Sequence, residues 1–295
     1  MHVTPGRAAG RAGWPSVACI EVGGGGVETV VLGGPEPIVL QGAAPPDGLP
    51  VLMAVPGLIE GDRVLAASNL DWWNVDPAAR LGVDRSATLL LNDAEAAALG
   101  ESALRDGADL VYVGLGTGVG GAVVRDEAVV GANLFGHGGA FSDTACPCGL
   151  TGCLETVAAG WALPDPLPAE NLPGVAAAVA TAVRDDPLAA SGPAGGLVVV
   201  AGGMSRRHPD LIAAIARALP ERAVEPSAAP GGVKSAAAWG LARAYLRFGA
   251  ASTRDGFNRE HWLGRFGDRI HLALATTHED SINSWGRRMA ALHLR

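Results

Sequence analysis

The sequence predicts an α/β protein with two lobes, and three observations support this. The chain has 295 residues, enough for more than one hydrophobic core. Hydrophobic residues make up 48% of it and aromatic residues only 5%, which suits small-residue packing between helices and sheets. A unit of strand, glycine turn and strand occurs twice, at 20–33 and 111–125. We therefore expect an arm at 1–15, lobes at 16–108 and 109–247, and an extra helical tail at 248–295.

Charge and hydropathy exclude several classes of function. The formal net charge is −8, so the chain lacks the basic footprint of a nucleic-acid-binding protein. It has no apolar run of about 18 residues, and its first residues lack the apolar core of a signal peptide. We expect a cytoplasmic protein with neither nucleic acid nor membrane as a partner. Lys234 is the only lysine, and because the arginines are scattered we attribute this to composition bias.

The first lobe begins with a predicted hairpin. The segments SVACIEV and VETVVLGG are strand candidates, and the glycines at 23–26 form the turn between them. Such a turn lets the backbone approach a phosphate, although a hairpin tip needs no ligand. The segment VLMAVPG predicts a buried strand that ends at Pro56. A turn at Gly61 and an exposed segment at 69–73 follow.

A predicted strand then leads directly into a helix. The segment ATLLLND is apolar up to Asn92, and AEAAALGESALRD follows with helical composition. Asn92 and Glu95 resemble a capping box, so the helix should begin at about Asp93. Active sites of open α/β sheets collect at such strand ends, but Asp is also a common helix cap.

The second lobe starts with the other glycine-tipped hairpin, whose turn contains Thr117. Ala-rich helical sequence follows at 156–190, interrupted by prolines at 164–173. A strand, the pair Gly202–Gly203 and an amphipathic helix occupy 196–219, and a turn and helix occupy 228–248. In the tail, four apolar residues recur at intervals of four. They predict a helix face that either binds a partner or packs on its own domain.

Three of the four cysteines lie within eight residues, which predicts a zinc site. The ligands would be Cys146, Cys148 and Cys153, with His137 completing a tetrahedron. Glycines at 149 and 152 would let the loop fold back. A closed shell of four protein ligands has no position for water, so the zinc would be structural and would hold the following Glu155 in place. Disulfides or free thiols are the alternatives, and Cys19 is interpreted as a buried small hydrophobe.

These motifs together resemble the ROK family of bacterial sugar kinases and sugar-responsive repressors. The resemblance covers roughly residues 17–247, and its specific parts are LNDAEAAALGE, GLGTGVGGAVV and CPCGLTGCLE with Gly136-His137 upstream. It implies a two-lobed, actin-like sugar kinase fold of the ribonuclease H-like type, with a cleft between the lobes. It further implies ATP and Mg²⁺ as cofactors, a sugar or polyol as substrate and, by family analogy, a homodimer.

The resemblance also implies roles for particular residues. Asp93 would be the general base that accepts the proton of the substrate hydroxyl. Sugar hydroxyls would be held by Asn69, Asn92, His137 and Glu155. Phosphate and adenosine would be bound by Glu21, Gly23 and Gly24, by Gly116, Thr117 and Gly118, and by Gly202 and Gly203.

Two positions depart from the family pattern. The first hairpin usually opens D-x-G-G-T, but here Glu21 replaces the Asp and Gly25 replaces the Thr. Phe135 occupies the place of a sugar-binding Glu two residues before the zinc histidine. Loss of that acceptor predicts a substrate other than glucose, such as an amino sugar, a deoxy sugar or a cyclitol, or else a loss of phosphorylation.

The sequence is therefore compatible with three functions. The first is an ATP-dependent kinase of a sugar or sugar-like polyol. The second is a sugar-binding or regulatory protein that transfers no phosphate. Repressors of the family carry an N-terminal winged helix-turn-helix, whereas only about fifteen residues precede the first predicted strand here, which weighs against DNA binding. The third is a structural partner that makes contact through its tail.

Overall fold

The computed structural model describes residues 13–67, 70–83, 87–131, 135–148, 150–190 and 195–248. Asn69, the glycine at 149, and almost all of the expected arm and tail lie outside these ranges.

The secondary structure follows the strand and helix patterns of the sequence. The strands are β1 (Val17–Gly23), β2 (Gly26–Leu32), β3 (Ile38–Gln41), β4 (Val51–Val55), β5 (Leu58–Glu60), β6 (Arg63–Ala67), β7 (Trp72–Val75), β8 (Leu89–Asn92), β9 (Leu110–Leu115), β10 (Val119–Arg125), β11 (Ala128–Gly131), β12 (Gly195–Ala201) and β13 (Arg222–Pro226). The helices are α1 (Pro77–Arg80), α2 (Asp93–Ala103), α3 (Glu155–Ala158), α4 (Leu172–Asp185), α5 (Pro187–Ala190), α6 (Gly203–Arg207), α7 (Pro209–Ala218) and α8 (Ala237–Phe248), with a 3₁₀ turn at Ala169–Asn171.

Two five-stranded sheets share one topology. Their strand orders are β3-β2-β1-β4-β8 and β11-β10-β9-β12-β13. In each sheet an antiparallel meander of three strands is extended by two strands that run parallel to its first strand. A small antiparallel sheet, β5-β6-β7, is added to the first half. The repeated topology confirms the predicted two-lobed α/β architecture.

Both predicted glycine hairpins are confirmed. In the first, β1 pairs with β2 from Val17 opposite Leu32 to Gly23 opposite Gly26. In the second, β9 pairs with β10 and leaves residues 116–118 as the turn. Glycine suits the first tip because Gly26 has φ +113°, a conformation that other residues rarely adopt.

Helices α2 and α8 lie between the two sheets and form the central core with them. Their contact is so close that a Cβ at Gly100 would lie 1.8 Å from the Ala236 carbonyl oxygen, and one at Gly240 would lie 1.8 Å from that of Ala96. Helix α8 also contacts β1 and β4. The last described helix therefore crosses back from the second sheet to the first.

Two local expectations were wrong. Trp72, expected in an exposed segment, is 7% exposed and packs in the core between the first sheet and the small sheet. The single amphipathic helix expected after Gly203 is two helices, because Pro209 disfavours helical geometry at His208, which has φ −127° and ψ 72°. Cys19 is buried, as expected. Within the described ranges, no helix combines the length and apolarity needed to cross a bilayer.

Candidate functional site

Asp93 lies at the junction of β8 and α2, as predicted. Asn92 is the N-cap of α2, and its Oδ1 accepts hydrogen bonds from the N–H groups of Ala94 (2.9 Å) and Glu95 (3.3 Å). Its Nδ2 donates to the Gly57 carbonyl at 3.0 Å. Asn92 therefore caps the helix, and both Oδ1 lone pairs are used in doing so. This leaves Asp93 as the half-buried carboxylate at the strand end.

The tips of the two hairpins touch each other. A Cβ at Gly24, in the first tip, would lie 3.0 Å from the Thr117 side chain in the second. Asp93 is close to both sheets, because the adjacent Ala94 side chain would be 2.9 Å from a Cβ at Gly120 on β10. The structure thus brings the predicted phosphate hairpins together beside the predicted base.

Glu155 is positioned by the second hairpin. Its Oε1 accepts a hydrogen bond from the Val119 N–H at 2.7 Å, and its Oε2 accepts one from Trp161 Nε1 at 3.3 Å. A Cβ at Gly118 would lie only 2.3 Å from Oε1, so the glycine leaves room for this carboxylate. The backbone N–H of Trp161 donates to the Thr117 carbonyl at 3.2 Å. Trp161, 40% exposed, was not identified from the sequence.

The four predicted metal ligands form one cluster. One donor atom each from His137, Cys146, Cys148 and Cys153 lies within 4.8 Å of all the others. Cys148 Sγ is 3.6 Å from Cys153 Sγ, and Cys146 Sγ is 3.7 Å from His137 Nδ1. All three cysteines are free thiols, and 3.6 Å is far longer than a disulfide bond.

These separations fit a tetrahedral metal. With Zn–S bonds of about 2.3 Å and a Zn–N bond of about 2.0 Å, ideal tetrahedral geometry places sulfurs about 3.8 Å apart and sulfur about 3.5 Å from nitrogen. Hydrogen bonds from Cys146 and Cys153 lower the pKa of Cys148, which favours the metal-binding thiolate at that position. The donor set therefore fits a closed Cys₃His site.

A tight loop brings the thiols together. Ala145 and Thr151 form an isolated β-bridge, and the Cys146 N–H donates to the Leu150 carbonyl at 2.7 Å. Gly152 has φ +75°, and a Cβ there would lie 2.4 Å from the Ser142 carbonyl oxygen. The predicted need for glycine at 152 is physical, because no side chain fits there. The Glu155 N–H donates to the Gly136 carbonyl at 3.1 Å and ties the loop to the carboxylate.

Three carboxylates, one each from β1, β2 and α2, lie near Lys234. Burial raises the pKa of Glu21 to about 7 and that of Asp93 to about 6, while Lys234 acts in the opposite direction on both. Glu21 Oε2 accepts a hydrogen bond from Ser235 Oγ at 2.7 Å, and Glu28 Oε1 accepts one from the Lys234 N–H at 2.7 Å. Hard carboxylate oxygens such as those of Glu21 suit Mg²⁺. The sequence signal for Lys234, its being the only lysine, was attributed to composition.

The remaining predicted residues lie near the hairpins, with one exception. Gly202 has φ +99°, and a Cβ there would lie 2.3 Å from the Leu115 carbonyl oxygen, just before the second tip. Gly203 begins α6. Phe135 packs against the outer face of the second sheet, where a Cβ at Gly121 would lie 2.7 Å from it. Asn69 lies outside the described residues, so its predicted role remains a prediction.

Glu95 lies in the first turn of α2, two residues after the predicted base, where the sequence indicated only a capping role. It is 2% exposed, and its Oε1 has no hydrogen-bond partner among the residues that the structure describes. Burial, followed by the charge of Asp93, raises its pKa to about 8. A carboxylate in this environment is protonated at neutral pH.

A model of the ROK family matches residues 44–190, about half of the chain. The chain is 39% identical over 137 residues to a putative xylose repressor of Caldicellulosiruptor sp. (strain Rt8B.4), covering 41% of this chain and 34% of the relative. It is 37% identical over 123 residues to a glucokinase of Halalkalibacterium halodurans, covering 36% of each. The chain thus spans about a third of the length of the curated relatives that it matches.

Structural similarity extends further than sequence similarity. A ROK family glucokinase from Streptomyces griseus, in complex with glucose and AMPPNP, superposes with a TM-score of 0.55 and 19% identity. The match covers 77% of this chain and 97% of that one. At this identity the similarity establishes the fold, a two-lobed actin-like one, and assigns no role to individual residues.

Proposed function

Residues 44–190 belong to the ROK family, and from this premise we propose that the chain is an ATP-dependent kinase of a sugar or sugar-like polyol. The observation that carries the proposal is the position of Asp93. Its carboxylate lies at a strand end, beside two hairpin tips that touch each other, and within electrostatic reach of Glu21, Lys234 and Glu155. A phosphoryl-transfer site needs this combination of a base, phosphate-binding backbone and metal-binding carboxylates.

Asp93 is suited to be the general base. A base is most effective when its pKa is close to the working pH, and burial brings the pKa of Asp93 to about 6. The Ala94 N–H donates to Asp93 Oδ1 at 2.9 Å and orients the carboxylate. The second oxygen can then accept the proton of a substrate hydroxyl.

The hairpins and the nearby carboxylates would hold ATP and Mg²⁺. Bound together, these supply the phosphoryl group and neutralise its charge. Gly116 has open space where its side chain would be, since the nearest atom to a Cβ there is 4.0 Å away, and the Thr117 hydroxyl lies at the facing tip. Glu21 would provide an oxygen ligand for Mg²⁺. The ATP analogue bound by the Streptomyces griseus glucokinase supports this assignment by fold analogy.

We assign the Cys₃His cluster to a structural zinc that positions Glu155 and His137 for the substrate. His137 Nε2 lies 3.9 Å from Glu155 Oε1, and Cys146 Sγ lies 4.0 Å from Glu155 Oε2. The predicted metal ligands His137 and Cys146 therefore contact the Glu155 carboxylate, which in turn is bonded to the second hairpin. Substrate hydroxyls would be bound by the Glu155 carboxylate and by polar groups beside it.

The side chain of Phe135 supports a proposal about the class of substrate. Its ring packs on the hydrophobic face of β10 and offers no hydrogen-bond acceptor. A hydroxyl that relied on an acceptor at this position would be left unpaired, and such mismatches discriminate strongly between substrates. We propose an amino sugar, a deoxy sugar or a cyclitol in preference to glucose.

The second candidate is a sugar-binding or regulatory protein without phosphoryl transfer. The 39% identity to a putative xylose repressor favours it, as does the replacement of Asp and Thr in the first hairpin by Glu21 and Gly25. In this case the sugar site would be retained and turnover would be absent.

An ADP-release assay separates the two candidates. The full chain is assayed with ATP and Mg²⁺ against a panel of hexoses, amino sugars, deoxy sugars and cyclitols. We expect turnover with at least one of them, reduced about 10²- to 10⁴-fold by Asp93→Asn. Asn keeps the oxygen that accepts from Ala94, so the variant should fold. Sugar binding by calorimetry without ADP release above the Asp93→Asn background would establish the second candidate instead.

A further inference from the structure

The first hairpin contains a cation that the proposed phosphate site does not yet use. Lys234 precedes α8 and lies over β1 and β2, and its Nζ donates to the Gly26 carbonyl at 2.8 Å. A Cβ at Gly23 would lie 2.8 Å from Nζ, so the ammonium rests directly on the hairpin backbone. A side chain at residue 23 would displace the ammonium from this position.

The segment around Lys234 is held by two carboxylates that face each other. Glu21 and Glu28 are direct partners across the β1–β2 pair, an arrangement that is unfavourable for like charges. Glu28 is satisfied by the backbone N–H of Lys234, and Glu21 by the hydroxyl of Ser235. The side-chain ammonium is thus directed past these bonds to the hairpin tip.

The ammonium keeps capacity to bind a ligand there. It has three donor hydrogens, and the hydrogen bond to Gly26 uses one. Lys234 is half-buried, not sealed in the core. It sits on the tip that touches Thr117 of the second hairpin, so a phosphate bound between the tips would lie beside it. Its positive charge favours the ionised forms of Glu21 and Asp93, and so it opposes the rise in their pKa values that burial causes.

The choice of residue supports the same role. Lysine and arginine together number 22, and every one except Lys234 is arginine. Lysine presents a compact point charge and binds phosphate in that form, whereas arginine presents a broader planar guanidinium. The one lysine stands where its ammonium contacts the hairpin backbone at Gly23 and Gly26.

We infer that Lys234 binds the terminal phosphates of the phosphoryl donor at the first hairpin, in place of the hydroxyl that Gly25 lacks. This inference rests on the proposed function. The ligand class is a nucleoside triphosphate or another polyphosphate, recognised through its phosphate charge and not through its base.

A single lysine permits a direct test by acylation. The full chain is treated with N-hydroxysuccinimidyl acetate, and acetylation of Lys234 is followed by mass spectrometry with the α-amine as internal reference. Calorimetry first sets the concentrations of ATP and of inorganic tripolyphosphate that fill the site. We expect both to slow acetylation of Lys234 at least about tenfold, with adenosine having no effect.

The ATP affinities of two variants provide a second test. Lys234→Met should weaken ATP binding about tenfold or more, as expected for loss of a charge-assisted hydrogen bond. The control Arg217→Met removes one positive charge from the exposed end of α7 and should change ATP affinity less than about twofold.

The outcomes are distinct. Binding of ATP without protection of Lys234, or equal affinities of the Lys234→Met and Arg217→Met variants, overturns this inference and leaves the proposed kinase intact. Failure of the unmodified chain to bind ATP overturns the proposed ATP-dependent kinase, and failure to bind tripolyphosphate as well overturns this inference with it.

Discussion

Gly118 in the second hairpin offers a sharp test of how the site is held together. A Cβ there would lie 2.3 Å from Glu155 Oε1, whereas contacts of real Cβ atoms are not found below 3.0 Å. Gly118→Ala therefore forces Oε1 to move by at least about 0.7 Å. The hydrogen bond from the Val119 N–H would then lengthen from 2.7 Å to about 3.4 Å, beyond the normal range.

The magnitude follows from this bond. Hydrogen bonds to charged groups contribute about 1.5–3 kcal/mol, and leaving the buried Val119 N–H without a partner has a similar cost. Gly116→Ala is the matched control in the same turn, because the nearest atom to its Cβ is 4.0 Å away. Both substitutions reduce the entropy of the unfolded chain equally. We expect Gly118→Ala to be less stable than Gly116→Ala by about 1.5–3 kcal/mol.

The assay is urea unfolding of the metal-loaded chain, followed by tryptophan fluorescence and circular dichroism. A double-mutant cycle assigns the effect to the carboxylate: with Glu155→Ala in both backgrounds, the gap should fall below about 0.5 kcal/mol. Equal stabilities of Gly118→Ala and Gly116→Ala, or a gap that persists without the Glu155 carboxylate, would refute the argument.

Three further predictions concern protonation and metal binding. Because Asp93 must be ionised to act as a base and has a pKa of about 6, kcat/KM should fall about tenfold per pH unit below pH 6; a profile that is flat from pH 7 to 5 would contradict this. The purified chain should contain about one zinc ion, lost in Cys153→Ser and retained in Cys19→Ser by elemental analysis, since Cys19 is buried against the Ala238 carbonyl. Glu95 has a folded-state pKa of about 8, raised from 4.5, so the native state retains a proton that the unfolded state releases; the free energy of unfolding should fall with rising pH between about pH 5 and 8. That decline should be shallower in Glu95→Gln by up to about 1.4 kcal/mol per pH unit, and equal slopes in urea unfolding at pH 5.5 and 7.5 would show that Glu95 is not the group responsible.

Features that depend on neighbouring residues were predictable from the sequence. Glycine pairs between β-branched runs encode both hairpins, and the Asn before Asp93 encodes the start of α2. The spacing of Cys146, Cys148 and Cys153 restricts them to one loop, and the structure places their sulfurs within metal-binding distance together with His137. In each case the backbone conformation is set by a few adjacent residues.

Other features depend on how distant elements pack. Asn92 donates to the Gly57 carbonyl as well as capping α2, and no local pattern in the sequence predicts that contact. Its binding of a substrate hydroxyl stays a prediction. Trp72 was expected in an exposed segment, yet it lies on β7 of the small sheet and packs in the core against the first sheet. Trp161 reaches Glu155 because Gly160 and Trp161 donate to the carbonyls of the second hairpin.

Lys234 shows most clearly what the tertiary structure decided. Its sequence signal, a lone lysine among scattered arginines, indicated only composition bias, and its partners Glu28 and Gly26 lie 206 and 208 positions away along the chain. Only the return of α8 from the second sheet to the first brings Lys234 onto the hairpin at Gly23. The sequence by itself determined the backbone of the two hairpins, the helix start and the cysteine loop, since short-range sterics and hydrogen bonds suffice for these. The tertiary structure decided which charges meet at the site, because that depends on the packing of α2 and α8 between the two sheets.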